Sequence, residues 1–317
     1  MGRYVLRRAK SALITLWLLA TIVFLIVSVL PGDVGRRVLG PFAIKEDVAK
    51  FNHQLGTDRP LIRQYFTTIR RLFTLSFGNS YQSGRSVNSV IFPALGRSGK
   101  LALLAFLLTI PLSIAAGIYA ARRKDKISDR VVVTTGLATS SIPEFVTAAV
   151  LLSVFCVHWK LGHVYANPPA KASLIGELPY LITPAIAMTI AYFGYITRMA
   201  RAGVIKGLGA DYARTATMKG LSRGDVMRKH ILRNALAPTI TVISVQIGYL
   251  FGGIIGVEKV FNYSGLGITM LNAVKSRDIP VLQGAVLLVG LIYMISTLLA
   301  DLLIAYLNPR VRLETNR

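Results

Sequence analysis

LALLAFLLTIPLSIAAGIYAA, residues 101–121, holds no charge between Lys100 and Arg122. A helix needs about 20 mostly apolar residues to cross a bilayer, so this stretch reads as a transmembrane span. Working outward, five more stretches read the same way: 11–31, 131–157, 180–200, 236–257 and 283–307. Two of them hold a carboxylate each, Glu144 and Asp301. The pattern predicts an all-α polytopic membrane protein with six transmembrane helices and a long segment, 33–100, after the first.

The composition agrees. Of 317 residues 53% are hydrophobic and 16% charged, with mean hydropathy +0.54. A soluble domain carries about 25% charged residues, and a chain this apolar has too little polar surface to cover itself. Disorder is excluded for the same reason. The first stretch follows Arg3, Arg7, Arg8 and Lys10 as a signal peptide would. However, its apolar run exceeds the roughly 7–15 residues of a signal core and ends at Pro31-Gly32 without a small-residue cleavage site, so it reads as an uncleaved span. The single cysteine, Cys156, permits no internal disulfide and no cysteine-based metal site.

The formal net charge is +23, from 37 Lys+Arg and 14 Asp+Glu. The N-terminus, 122–130, 197–235 and 308–317 hold twenty-one Lys/Arg, against five in 158–180 and 258–278. The positive-inside rule then puts both termini and the first set of loops in the cytoplasm. The basic surplus follows this topology, and nucleic-acid binding becomes a minor reading.

Between the spans, 33–100 reads as a small ordered cap, with Pro60 placed to open a helix. GRSGKL (96–101) only superficially resembles a phosphate loop. Ala94 stands where the first glycine belongs and Leu101 where Ser or Thr belongs, so it reads as a polar linker into the second span. The four histidines are scattered and no catalytic motif appears, so neither an enzymatic nor a metal site is supported.

GVIKGLGADYARTATMKGLSRGDVMRKHILRNALAP (203–238) is the informative loop. Asp211 is a good N-cap for two helical turns, and Gly220 suits a left-handed helix end. Ser222 with Asp225 resembles a capping box for a second helix. Ala213 and Ala216 are small and would permit close approach by a partner. The plainer reading is an amphipathic helix pair lying on the membrane surface.

Glu144, some 21 Å along a straight helix from Arg130, would lie deep in the hydrocarbon core. A charge there is costly and should avoid lipid. Ser140 and Ser141 add polarity one turn earlier, and Pro143 can bend the helix. Two readings compete: Glu144 supports packing, or it lines a translocation path with Ser140 and Ser141.

At 203–238 the chain resembles permease subunits of bacterial binding-protein-dependent ABC importers, in particular the dipeptide, oligopeptide and nickel permease group. Residues 211–220 match that group's D-Y-x-R-T-A-x-x-K-G form, while Arg214 and Thr215 replace the Glu and first Ala of the general family's Glu-Ala-Ala loop. RYVLRR (3–8), LPGD (30–33), LGTDRPLIRQY (55–65), FGNSY (77–81), RNALAP (233–238), EKVFNYSGLG (258–267), RDIPVLQG (277–284) and ADLLIAYLNPRVR (300–312) also look like group features, with Asn308 in place of the usual Asp. The resemblance implies a type I ABC importer permease fold and a chain that performs no chemistry of its own. It implies a second homologous permease subunit, two cytoplasmic ATPases that bind ATP and Mg, an extracytoplasmic solute-binding protein, and surrounding membrane lipid. Asp211, Tyr212, Arg214, Thr215, Ala216, Lys219 and Gly220 would then form the coupling helix that docks on an ATPase, within a coupling loop spanning 203–235. The rival is a stand-alone secondary transporter or channel using Glu144 and Asp301, although the halves show no inverted repeat.

Overall fold

The computed structural model describes residues 2–29, 33–40, 42–169 and 172–307. Residues 30–32 and 308–317, which carry most of the LPGD motif, Asn308 and the basic tail, lie outside the described residues. The chain divides into two compact units, Met1–Arg8 with Gly99–Tyr263 and Ile295–Arg317, and Ala9–Ser98 with Ser264–Met294. The described residues form helices: α1 (Gly2–Val29), α2 (Val34–Leu39), α3 (Lys45–Leu55), α4 (Leu61–Thr74), α5 (Val87–Arg122), α6 (Ile127–Ser140) and α7 (Glu144–Leu151). They continue with α8 (Leu174–Leu208), α9 (Asp211–Met218), α10 (Arg223–Asp225), α11 (Leu232–Ala235), α12 (Ala237–Val260), α13 (Leu266–Lys275) and α14 (Ile279–Leu307). Segments 152–158 and 226–231 are π-helical.

Five helices (α1, α5, α8, α12 and α14) are long and apolar enough to cross a membrane, and α6 with α7 makes a sixth if counted as one span. That sixth span departs from expectation. The stretch 131–157 is not one straight helix, because α6 and α7 meet at 97°. The cause is local. Pro143 lacks an N–H, biases Ile142 away from helical geometry, and itself sits extended at φ −56°, ψ 140°. The 21 Å depth assigned to Glu144 assumed a straight helix and does not survive the bend. GRSGKL is likewise not a linker: α5 starts at Val87 and runs through it for 36 residues.

In the larger unit, α6 crosses α8 at two facing glycines. A Cβ on Gly136 would lie 2.9 Å from the Gly194 Cα, and one on Gly194 would strike the Gly136 carbonyl. Only glycine permits so close an approach of two backbones. Nearby, Arg201 on α8 grips Asp129 on α6 through two bonds, Nε–Oδ1 at 2.5 Å and Nη2–Oδ2 at 2.6 Å. Asp129 also accepts from the Asp125 N–H at 3.0 Å, which ties down the turn between α5 and α6.

In the smaller unit, α2, α3 and α4 fall within the 33–100 segment. Asn52 donates to both carboxylate oxygens of Asp33 at 2.8 and 2.9 Å and accepts from the Gly35 N–H at 2.8 Å. Pro60 sits one place before α4 rather than in its first turn. Tyr65 fixes α4 to α1, with its ring edge-on to Phe24 and its hydroxyl 2.9 Å from Thr21. Asp278, buried before α14, accepts from the Ser80 hydroxyl and from the Tyr81 N–H at 3.0 Å. This contact closes the 76–86 loop over a sequence separation of nearly 200 residues.

Candidate functional site

The 203–238 loop folds as a tight corner. α9 ends in a Schellman arrangement: Gly220 takes φ +80°, its N–H reaches the Thr217 carbonyl at 3.0 Å, and the Leu221 N–H reaches the Ala216 carbonyl at 3.3 Å. A Cβ on Gly220 would meet nothing within 4 Å, so its requirement is conformational and not steric. Ser222 caps α10 by accepting from the Asp225 N–H at 3.1 Å, and its hydroxyl lies 2.7 Å from Asp225 Oδ2. The Ser222 hydroxyl, then Lys229, hold the Asp225 carboxyl below its ordinary range. The capping-box expectation thus holds, with the Ser222 hydroxyl in place of its backbone N–H. The N-cap expectation does not: Ala210 occupies the cap without a side-chain bond, and Asp211 is the first helical residue. There its charge still suits the positive end of the helix dipole.

Ala213 and Ala216 require a larger correction. Both are buried, at 4% and 5% exposure, in a core shared with Val204 of α8, Ala121 of α5, and Val226, Met227 and Ile231. Their small size serves this chain's own packing and not a partner. At the same joint, Gly203 and Gly207 of α8 open a groove for 226–235. A Cβ on Gly207 would lie 2.8 Å from Ile231, and one on Gly203 would strike the Ala235 carbonyl. α9 is therefore fixed to the ends of α5 and α8. Its outer face carries Asp211, Arg214, Thr215, Met218, Lys219 and Gly220, all exposed, with Tyr212 at its edge. Met218, not singled out from the sequence, is 79% exposed on this face. Its signal was available: it stands four residues after Arg214, off the 213/216 stripe.

Ser140, Ser141 and Glu144 have different immediate surroundings. Ser140 lies at the glycine crossing, near Gly194, and its hydroxyl is buried without a partner. Ser141 is exposed and donates to the Leu137 carbonyl at 2.9 Å. Beyond the bend, Glu144 opens α7 and lies flat on α12. A Cβ on Gly253 would come within 2.5 Å of its Cδ and 2.9 Å of its Cγ, and would strike Oε1. Asp301, the second carboxylate of the rival reading, pairs with Arg8 at 3.1 Å. Among the described residues no group of three His, Cys, Asp or Glu converges as a metal site.

Several long apolar helices with a structured two-helix corner between two of them define a polytopic membrane protein. The chain matches the family model described as "Binding-protein-dependent transport system inner membrane component" over residues 113–313, and that family's N-terminal model over 1–101. It belongs to this family. It is 35% identical over 312 residues to the glutathione transport system permease protein GsiC of Escherichia coli (strain K12), covering 98% of this chain and 99% of that one. It is 36% identical to the same-named protein of Salmonella typhi over the same shares. It is 30% identical to the probable peptide ABC transporter permease protein y4tP of Sinorhizobium fredii, covering 98% and 100%. The chain is thus a multi-pass permease subunit of a binding-protein-dependent importer, a transport component and not an enzyme; these relatives favour this over the stand-alone transporter.

Proposed function

We propose that this chain is one of two similar permease subunits of an ATP-driven importer for peptides or peptide-like solutes such as glutathione. An extracytoplasmic binding protein delivers the solute, and two cytoplasmic ATPases hold ATP and Mg and supply the energy. The relatives named for glutathione and peptide transport support the solute class. The Lys/Arg asymmetry supports cytoplasmic termini and a cytoplasmic 203–235 loop, with 33–100 outside. α6 with α7 counts as one broken span, which makes six.

The two-faced build of α9 carries the reading. Its inner face is packed into the core that holds the ends of α5 and α8, and its outer face presents Arg214, Met218 and Lys219. A helix so fixed moves as a rigid body, and an ATPase that grips the outer face moves two spans with it. Met218 is the apolar anchor; Ala216 acts from below as the packing floor. On the solute side, Glu144 and Ser140 supply polar groups to the path, while Ser141 spends its hydroxyl on its own helix.

Reconstitution of the whole complex with Met218→Asp tests this. The chain should assemble normally, because the side chain is 79% exposed. Solute uptake and solute-stimulated ATP hydrolysis should fall at least about tenfold, the equivalent of about 1.4 kcal/mol of docking energy. Normal uptake by a correctly assembled variant would contradict the coupling role.

A further inference from the structure

Glu144 has an unusual setting. Helices α7, α8 and α12 pack on one another. Glu144 begins α7 and lies on the bare backbone of α12 at Gly253. Among the described residues no hydrogen bond or ion pair holds its carboxylate, although four other carboxylates of this unit, Asp129, Glu177, Asp225 and Asp301, are each paired with a base. Tyr192 lies on α8, which packs against α7. Tyr192 is 7% exposed, and its buried hydroxyl has no partner. The hydroxyl of Thr147, one turn along α7 from Glu144, is also buried and unpartnered.

Buried hydroxyls without partners cost about 1–3 kcal/mol each, and such groups in a folded protein call for an explanation. The chemistry of the set narrows it. A carboxylate accepts only; a phenol and a threonine hydroxyl each accept as well as donate. A site of acceptors around one negative charge, in a low-dielectric bundle, suits a compact cation with several N–H donors. A primary ammonium offers three such donors. A carboxylate or phosphate group would be repelled. The missing Cβ at Gly253 lets the carboxylate lie against the backbone of α12.

We propose that Glu144, with Tyr192 and Thr147, forms a subsite on the solute path that takes the protonated free amino group of a passing peptide. This rests on the reading of the chain as a peptide importer, and it gives the path a preference the binding protein need not supply. The group has to be held weakly, since a passing solute must also leave.

Carbodiimide modification of Glu144 tests the subsite on the wild-type complex. The purified importer, with its ATPases, is treated with dicyclohexylcarbodiimide, and modification at Glu144 is read by peptide mass spectrometry with Glu144→Gln as the site control. The probes are trialanine and N-acetyl-trialanine at equal concentration. Trialanine should slow the modification at least about threefold and the acetylated peptide should not; Tyr192→Phe should weaken the protection. Equal protection by both probes would overturn amine recognition while keeping Glu144 on the path. Protection by neither would overturn both. A Glu144 that stays unmodified throughout is sealed into packing, which also overturns the subsite.

Discussion

At Gly220 the backbone sits at φ +80° with open space where a side chain would go. A β-branched residue resists that conformation, whereas Asn tolerates it. Gly220→Val should therefore cost about 1–2 kcal/mol at the corner and Gly220→Asn much less. Thermal unfolding and uptake measured on both variants check this; equal effects would mean that bulk and not φ matters. Ala216 behaves differently. Arg there drives a long charged chain into the core with Val226 and Ile231, so Ala216→Arg should impair folding of the corner and lower the amount of assembled complex. An Ala216→Arg chain that assembles fully but fails only in ATPase docking would contradict the inward orientation. The sequence showed that 213 and 216 share a helix face and that small residues stand there. It did not show which side the face turned to, because a small buried residue and a small contact residue have the same composition; only the positions of Val204 and Ile231 decide it.

At the scale of elements, the α6–α8 contact has two locks. Gly194→Ala would push a methyl group onto the Gly136 carbonyl, and overpacking of this kind costs about 1–3 kcal/mol. The second lock is the Asp129–Arg201 pair, with Asp129's side chain 3% exposed and Arg201's 25%. Asp129→Asn strands the Arg201 charge, and breaking one half of a buried pair costs about 3–5 kcal/mol, nearer the lower end here because the arginine is partly wet. Asp129→Asn with Arg201→Met should recover part of that loss. A double-variant cycle on thermal stability of the complex measures the coupling, and strict additivity would mean that the pair does not interact. The long apolar helices were legible from hydropathy, whereas the short α2, α3 and α13 were not read from the sequence. The break at 141–143 was legible only as a proline that permits a bend; its 97° is set by how α7 packs on α8 and α12, which no local pattern encodes. The Arg201–Asp129 pair spans 72 residues and left no local trace.

At the scale of the molecule, topology carries the most weight. Single cysteines at Ser83 and Lys124, in a Cys156→Ala background, should react from outside and inside respectively. Ser222, in the other loop proposed to be cytoplasmic, is left unaltered because its hydroxyl caps α10. Labelling of Lys124→Cys but not Ser83→Cys in intact cells by an impermeant reagent would falsify the orientation. Family membership was legible because its motifs run in order along nearly the whole chain, and the 98% coverage by relatives agrees. The solute was not legible, since membership fixes a fold and a transport role while specificity depends on a few side chains.

As proposed, α9 is the lever between an ATPase and the spans, gripped on its outer face. Site-directed cross-linking on the intact complex tests it most directly. Cysteine is placed at Met218, 79% exposed, or at Ala213, 4% exposed, in the Cys156→Ala chain, and a short thiol-to-amine cross-linker is applied. The account predicts a covalent adduct between Met218→Cys and a co-purified ATPase subunit, changed in yield by ATP, and none from Ala213→Cys. An ATPase adduct from Ala213→Cys alone, or from neither site in a complex that still transports, would contradict it.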